Sequence, residues 1–330
     1  MDFKKSFSLN LSSETAEKNT VVYGRVRVSV LTERLYRVEY SKNGVFTDCA
    51  TQKVWNRNFD APVFKFKKQD GYLIVGTRQN GVCVESETGR VAYAVAGGKK
   101  IKDLHAGNLK GTYRTLDGTV GAIPLGEGIV SRSGAAVLDD SDSLVLNADG
   151  TVAPRANKEK DLYIFVYGHD YRAAVRDFLR LAGGVPLIPR FAFGNWWSRY
   201  KAYTQQEYLV LMQRFAQERI PLTVATIDMD WHWVDLKKEF SGVPGTDPAD
   251  IKSGWTGYSW NTHLFPDYKE FLQWLKAQNL KITMNLHPAD GVRFFEDMYE
   301  EFARYMGVDP KTKKKIPFDC ADPRYMEAYF

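Results

Sequence analysis

Asp228 and Asp230 stand two residues apart in TIDMDWHWVD (226–235), where an apolar run gives way to acids, an imidazole and two tryptophans. On a strand of period two both carboxylates share one face, with Ile227 and Met229 on the other. Carboxylates this close raise each other's pKa unless donors hold them ionised, so water, Arg199 or the hydroxyls of a ligand are expected beside them. An uncompensated buried pair would be costly. Trp197 with Arg199, and His287 with Asp290, occupy similar places after other apolar runs, in FGNWWSRY and NLHPADG. Acids that accept paired hydrogen bonds from vicinal hydroxyls, set beside aromatic faces, suit a sugar ring. Blander readings stand next to this one: the acids cap a loop, and His287 before Pro288 is a structural histidine. A sharper rival makes Asp228, Asp230, His232 and His287 a metal cluster, but their spacing matches no strong ligand signature. No metal and no cofactor is therefore expected.

Two kinds of element must position these residues. Up to about residue 165 the pattern has period two with turn signals between the runs: VRVSV (26–30), LYRVEY (35–40), VFKFKK (63–68), YLIVGT (72–77), GVCVES (81–86), RVAYAV (90–95) and DLYIFVYG (161–168). Short alternating strands joined by such turns predict an antiparallel β-sandwich. DYRAAVRDFLRLA (170–182) predicts a helix, and the Gly/Pro-rich GGVPLIPR (183–190) a boundary, so the domains are set at 1–185 and 186–330.

From residue 191 strands and helices alternate. FAFGNWW (191–197), PLTVATIDMDW (221–231) and KITMNLHP (281–288) predict buried strands. Thr204 and Glu207 form a capping box ahead of Tyr208, Leu211, Met212 and Phe215; Asp267 caps a second helix; Phe295, Met298, Tyr299 and Phe302 mark a third, ended by Gly307. The fold expected is multidomain, an antiparallel sandwich followed by an incomplete (β/α)8 TIM-type barrel of three strand–helix units. A closed barrel needs roughly 250 residues, more than 191–330 supply. Ligands of such folds gather at the carboxyl ends of the strands, where the acids sit.

The totals exclude other classes. Of 330 residues 44% are hydrophobic and 26% charged, as in a globular protein with sizeable cores. No apolar run is long enough for a membrane span and MDFKKSFSLN carries no apolar secretion stretch, so a cytoplasmic location is expected. Three cysteines without ligand spacing fit a reducing compartment. A net charge of +5 over 45 basic and 40 acidic residues is too mild for nucleic acid, and KTKKK (311–315) reads as a solvated loop. Seven of the eight tryptophans fall between residues 196 and 274, and most have loop or strand-end addresses suited to walls of a ligand cavity. No nucleic acid or membrane partner is expected; a homo-oligomer is compatible with the sequence.

FGNWWSRYKAYTQQEY, TIDMDW, GWTGYSWNTHLFPD and NLHPADG together resemble the first part of the catalytic barrel of glycoside hydrolase family 31, the α-glucosidase family. GNLKGTYRTLDG (107–118) and LGEGIVSRSGAAVLDDS (125–141) are similar to that family's N-terminal sandwich. The resemblance implies retaining hydrolysis of an oligosaccharide or other α-glycoside through an aspartate nucleophile and a second carboxyl as acid then base. It implies that Asp228, with Asp230 beside it, grips hydroxyls in the −1 subsite and that Met229 lines it. Trp197 or Tyr200 would wall it from strand one, Leu286 and His287 from strand three, and the loop bearing Arg114, Thr115 and Asp117 would reach over its mouth. No catalytic residue is assigned in this chain, because the family's nucleophile and acid/base are expected beyond Phe330. The chain alone is then expected to be inactive. The alternatives are a non-catalytic carbohydrate-binding protein and a metal-dependent hydrolase.

Overall fold

Valines alternating with polar residues build strands that bury one face, and in the first half they build two sheets. The structure, a computed structural model, describes residues 8–60, 62–111, 118–155, 160–252 and 254–330, and the statements below concern those residues. The chain divides into two units, one running to Pro186 and the other spanning Leu187–Phe330.

The first unit contains β1 (Thr20–Tyr23), β2 (Val26–Val30), β3 (Leu35–Tyr40), β4 (Lys65–Gln69), β5 (Tyr72–Gly76), β6 (Gly81–Glu85), β7 (Val91–Ala96), β8 (Lys99–Ile101), β9 (Ala136–Asp139), β10 (Val145–Leu146), β11 (Val152–Ala153) and β12 (Lys160–Phe165). One antiparallel five-stranded sheet has the order β1-β2-β3-β12-β9, a second is the meander β4 to β8, and β10 and β11 pair as a small two-stranded sheet. Val26, Val28, Val38 and Ile164 of the first sheet share a core with Leu73, Val75, Val82 and Val84 of the second. At the β6–β7 turn Gly89 has φ +63°, and a Cβ there would lie 2.4 Å from the Cβ of Tyr40, so glycine is required on both counts. The helix α1 (Tyr171–Ala182), capped by Asp170, covers a further core of Leu31, Leu35, Phe59, Tyr163 and Phe165.

Charge is buried in this unit as well. Arg37, almost fully enclosed, donates two hydrogen bonds of 2.8 Å to Asp161, and Arg155 bridges Asp161 at 3.0 Å and Asp140 at 2.9 Å. Burial alone would raise the Asp161 carboxyl, but Arg37, Arg57 and Arg155 outweigh it and hold it at about 2.

The second unit contains β13 (Trp196–Trp197), α2 (Gln205–Gln217), β14 (Val224–Ile227), α3 (Leu236–Phe240), α4 (Tyr268–Ala277), β15 (Lys281–Met284), α5 (Tyr299–Tyr305) and α6 (Pro323–Tyr329). The three strands form a parallel sheet in the order β13-β14-β15, with Val224 opposite Lys281 and Ile227 opposite Met284. Helices α2 and α4 cover it through Tyr208, Met212, Phe271 and Leu275, which meet Ala225 and Ile227. Each such large apolar side chain contributes roughly 1.5–3 kcal/mol on burial. The Tyr208 hydroxyl donates to the Thr226 carbonyl at 2.8 Å, fixing helix against strand. The Thr204–Glu207 capping box and the Asp267 cap form as expected.

Four elements of the second unit differ from the sequence expectation, among them the third strand, which spans only Lys281–Met284 of the expected 281–288 and has no fully buried residue. FAFGNWW is a strand only at Trp196–Trp197; Arg190–Phe193 form a 3-10 turn. The cause is a tertiary contact: the Thr223 hydroxyl donates to the Phe191 carbonyl at 2.8 Å, and Gly194 lies so close to Thr223 that any Cβ would meet its side chain at 2.3 Å. The second strand ends at Ile227, ahead of both acids. Phe295 lies outside α5, stacked on Phe240 with ring centroids 4.9 Å apart.

Candidate functional site

At the carboxyl end of β14 the chain turns instead of continuing. Met229 adopts φ +49°, a left-handed conformation that a side chain bearing a Cβ rarely takes. The period-two argument therefore fails at this residue, and Asp228 and Asp230 share a turn, not a strand face. Asn285, one residue past the end of β15, holds that turn. Its Oδ1 accepts the backbone N–H of Met229 and the indole N–H of Trp231, each at 2.9 Å. Met229 is buried beneath the acids, with its sulfur 3.1 Å from Nε2 of His287.

Asp228 and Asp230 are each half-buried, and among the described residues no ion pair reaches either of them. Burial, then the charge of Asp228, raises the Asp230 carboxyl above its ordinary value. Arg199, expected as a compensating cation, instead lines a hollow of about 370 Å³ with Tyr203, Val210 and Arg214 along α2. His232 adds no charge either. Its Nδ1–H donates to the Trp233 carbonyl at 3.1 Å, its Nε2 is buried without a partner among the described residues, and burial pushes the imidazole down to about 4. The turn thus offers hydrogen-bond acceptors to which no cation among the described residues is matched, an arrangement that neutral donors such as hydroxyls complete.

The remaining expected residues separate into groups. His287 is half-buried and packs on Trp255, ring centroids 4.6 Å apart, with the His232 ring 6.4 Å away. Trp255 is 47% exposed. Its loop is braced by the His287 N–H donating to the Thr256 carbonyl at 3.0 Å and by the Thr256 hydroxyl donating to buried Glu296. In the same loop Gly257 has φ +86°, and a Cβ there would meet His232 and Leu286 at 3.3 Å. Leu286 lines an apolar hollow of about 260 Å³ with Tyr258, Met298, Phe302 and Tyr329. Trp197 packs on Phe215 at 5.0 Å, with its indole N–H buried and unpartnered among the described residues, whereas Tyr200 is 65% exposed. Trp231, read from sequence as a cavity wall, lies in the core against Trp260. Arg114, Thr115 and Asp117 lie outside the described residues. Among the described residues, no group of three or more His, Cys, Asp and Glu side chains could hold a metal ion, so Asp228, Asp230, His232 and His287 do not form the ligand set weighed above.

Sequence reasoning passed over Asn285 and gave Trp255 no individual role. Asn285 had a findable signal: it is the polar residue at the carboxyl end of the third strand, the same place Asp228 holds on the second.

Residues 185–321 match the family model described as the glycosyl hydrolases family 31 TIM-barrel domain. An alpha-xylosidase of Saccharolobus solfataricus is 26% identical over 191 residues, which are 54% of this chain and 23% of that protein. Alpha-glucosidase 2 of Bacillus thermoamyloliquefaciens is 25% identical over 128 residues, 39% of this chain and 14% of that protein. The chain thus spans less than a quarter of the length of these two relatives. Two solved structures share the fold at a TM-score of 0.53: an alpha-xylosidase from a soil metagenome complexed with xylose (12% identity, 87% of this chain, 48% of that one) and an alpha-xylosidase from Xanthomonas citri (11%, 88% and 52%). Among the described residues no helix is long and apolar enough to cross a membrane.

Proposed function

We propose that residues 1–330 are the sandwich and first barrel units of a cytoplasmic, retaining α-glycosidase acting on an α-xyloside, α-glucoside or related oligosaccharide, with domains at 1–185 and 186–330. The three parallel strand–helix units are read as the opening part of an eightfold barrel. Asp228 accepts hydrogen bonds from sugar hydroxyls in the −1 subsite, Asp230 supports it, and Met229, Trp197, Tyr200, Leu286 and His287 form its walls. The nucleophile and the acid/base take no residue within 1–330, so this segment binds sugar without appreciable hydrolysis.

One observation carries the reading: two half-buried carboxylates share a turn at the end of a parallel strand, and among the described residues no cation pairs with them. The names of the relatives supply the sugar class. The test is titration calorimetry of the chain with methyl α-D-xyloside and methyl α-D-glucoside, alongside hydrolysis of the 4-nitrophenyl α-glycosides. Binding that disappears in Asp228→Ala, with thermal melting unchanged, is expected. Equal affinity in Asp228→Ala and the parent chain overturns the assignment, and rapid hydrolysis by the chain overturns the placing of the catalytic carboxyls.

A further inference from the structure

We propose that Asn285 is a positioning residue that joins the ends of β14 and β15 and fixes His287 as the neutral tautomer with its proton on Nδ1. A backbone N–H and an indole N–H can only donate, so the two groups that meet Asn285 at 2.9 Å, from Met229 and Trp231, must both face its carbonyl oxygen. The orientation of the amide is thereby decided, and its NH2 is the group 3.1 Å from Nε2 of His287. An amide nitrogen has no lone pair to offer, so Nε2 accepts from it in preference to donating to the weakly accepting Met229 sulfur, which also lies 3.1 Å away. The imidazole proton then resides on Nδ1.

The consequence reaches both strand ends. The same amide holds the left-handed Met229 turn between the two acids and sets the protonation of the histidine beneath Trp255. Asp228 and Asp230 provide acceptors only, whereas a neutral His287 contributes one N–H donor and no charge. A subsite containing both is matched to neutral hydroxyls, which donate and accept together. This last step rests on the sugar reading above; the tautomer does not.

The test separates the two. Long-range proton–nitrogen correlation spectra of the histidine-labelled chain at about pH 8 identify which ring nitrogen of His287 is protonated, with His287→Gln assigning the signal. The parent chain should show Nδ1 protonated. Asn285→Asp keeps an oxygen for Met229 and Trp231 but turns a second oxygen toward Nε2, so the proton should move to Nε2. Persistence of the Trp231 indole signal in that variant shows that the turn remains in place. A parent chain protonated on Nε2, or a tautomer unchanged by Asn285→Asp with the Trp231 signal retained, overturns the inference. Affinity for methyl α-D-xyloside is measured on the same samples and should fall roughly tenfold in Asn285→Asp. Unchanged affinity despite a moved proton would overturn the role of His287 in sugar recognition and leave the positioning role of Asn285 standing.

Discussion

Trp255 lies against His287 with ring centroids 4.6 Å apart and planes inclined at 54°, and nearly half of the indole is exposed. On the sugar reading proposed above, an exposed aromatic face held against His287 would serve as a platform for the C–H face of a sugar ring. Trp255→Ala should therefore weaken binding of methyl α-D-xyloside by roughly tenfold, as loss of one aromatic contact worth about 1.4 kcal/mol. Thermal melting should barely move, because a half-exposed side chain contributes little to the core. Calorimetry and a melting curve on the same variant check both halves of this statement.

The coupling between the acids has a sign. The charge of Asp228 helps to raise the carboxyl of Asp230, after burial. Removing that charge in Asp228→Asn should lower the Asp230 titration toward its ordinary value, measured by carbon-13 shifts of the side-chain carboxyl against pH. A midpoint that rises or stays fixed would show that the two acids do not share a field.

His232 makes the second unit sensitive to mild acid. An imidazole held down at about 4 when folded, against about 6.5 when free, favours the neutral form in the fold. Its contribution is complete above the unfolded value and is lost as pH falls from about 6.5 to about 4, amounting to the order of 3 kcal/mol. Denaturant midpoints recorded across that window should decline in the parent chain and decline less in His232→Gln.

The first unit responds to stronger acid. Asp161 is held at about 2 when folded, so the stability it provides is present above its unfolded value near 4 and disappears as pH falls toward 2. Asp161→Asn would leave the enclosed Arg37 without its two-pronged partner. Such a change should cost about 3–5 kcal/mol in urea unfolding. A loss below 1 kcal/mol would mean that neighbouring Glu39, 3.0 Å from Arg37, takes over the pairing.

Period-two runs located the strands of the first unit closely, since VRVSV and LYRVEY are β2 and β3 to the residue. Helix starts were also legible: Thr204 and Asp267 each cap the helix that the sequence assigned to them, because a cap needs only its own side chain and the next turn. What stayed hidden depends on partners distant in sequence. Nothing near FAFGNWW announces that Thr223 will seize the Phe191 carbonyl and bend the run. Nothing near Trp231 announces that Asn285 will satisfy its indole and allow it into the core. The acids were identified by type and place, but their geometry was misread, because a left-handed methionine cannot be seen in a pattern of apolar and polar letters.

That methionine constrains what the position can become. Glycine at residue 229 would relax a backbone strained by about 1 kcal/mol, yet the side chain is only 4% exposed and its removal would empty interior volume worth about 2–5 kcal/mol. A β-branched residue would fill the space and worsen the strain. Only a long, unbranched side chain answers both demands, so the bend that lifts the two carboxylates is anchored from below, and thinning that underside should let them drift apart without altering a single atom of either acid.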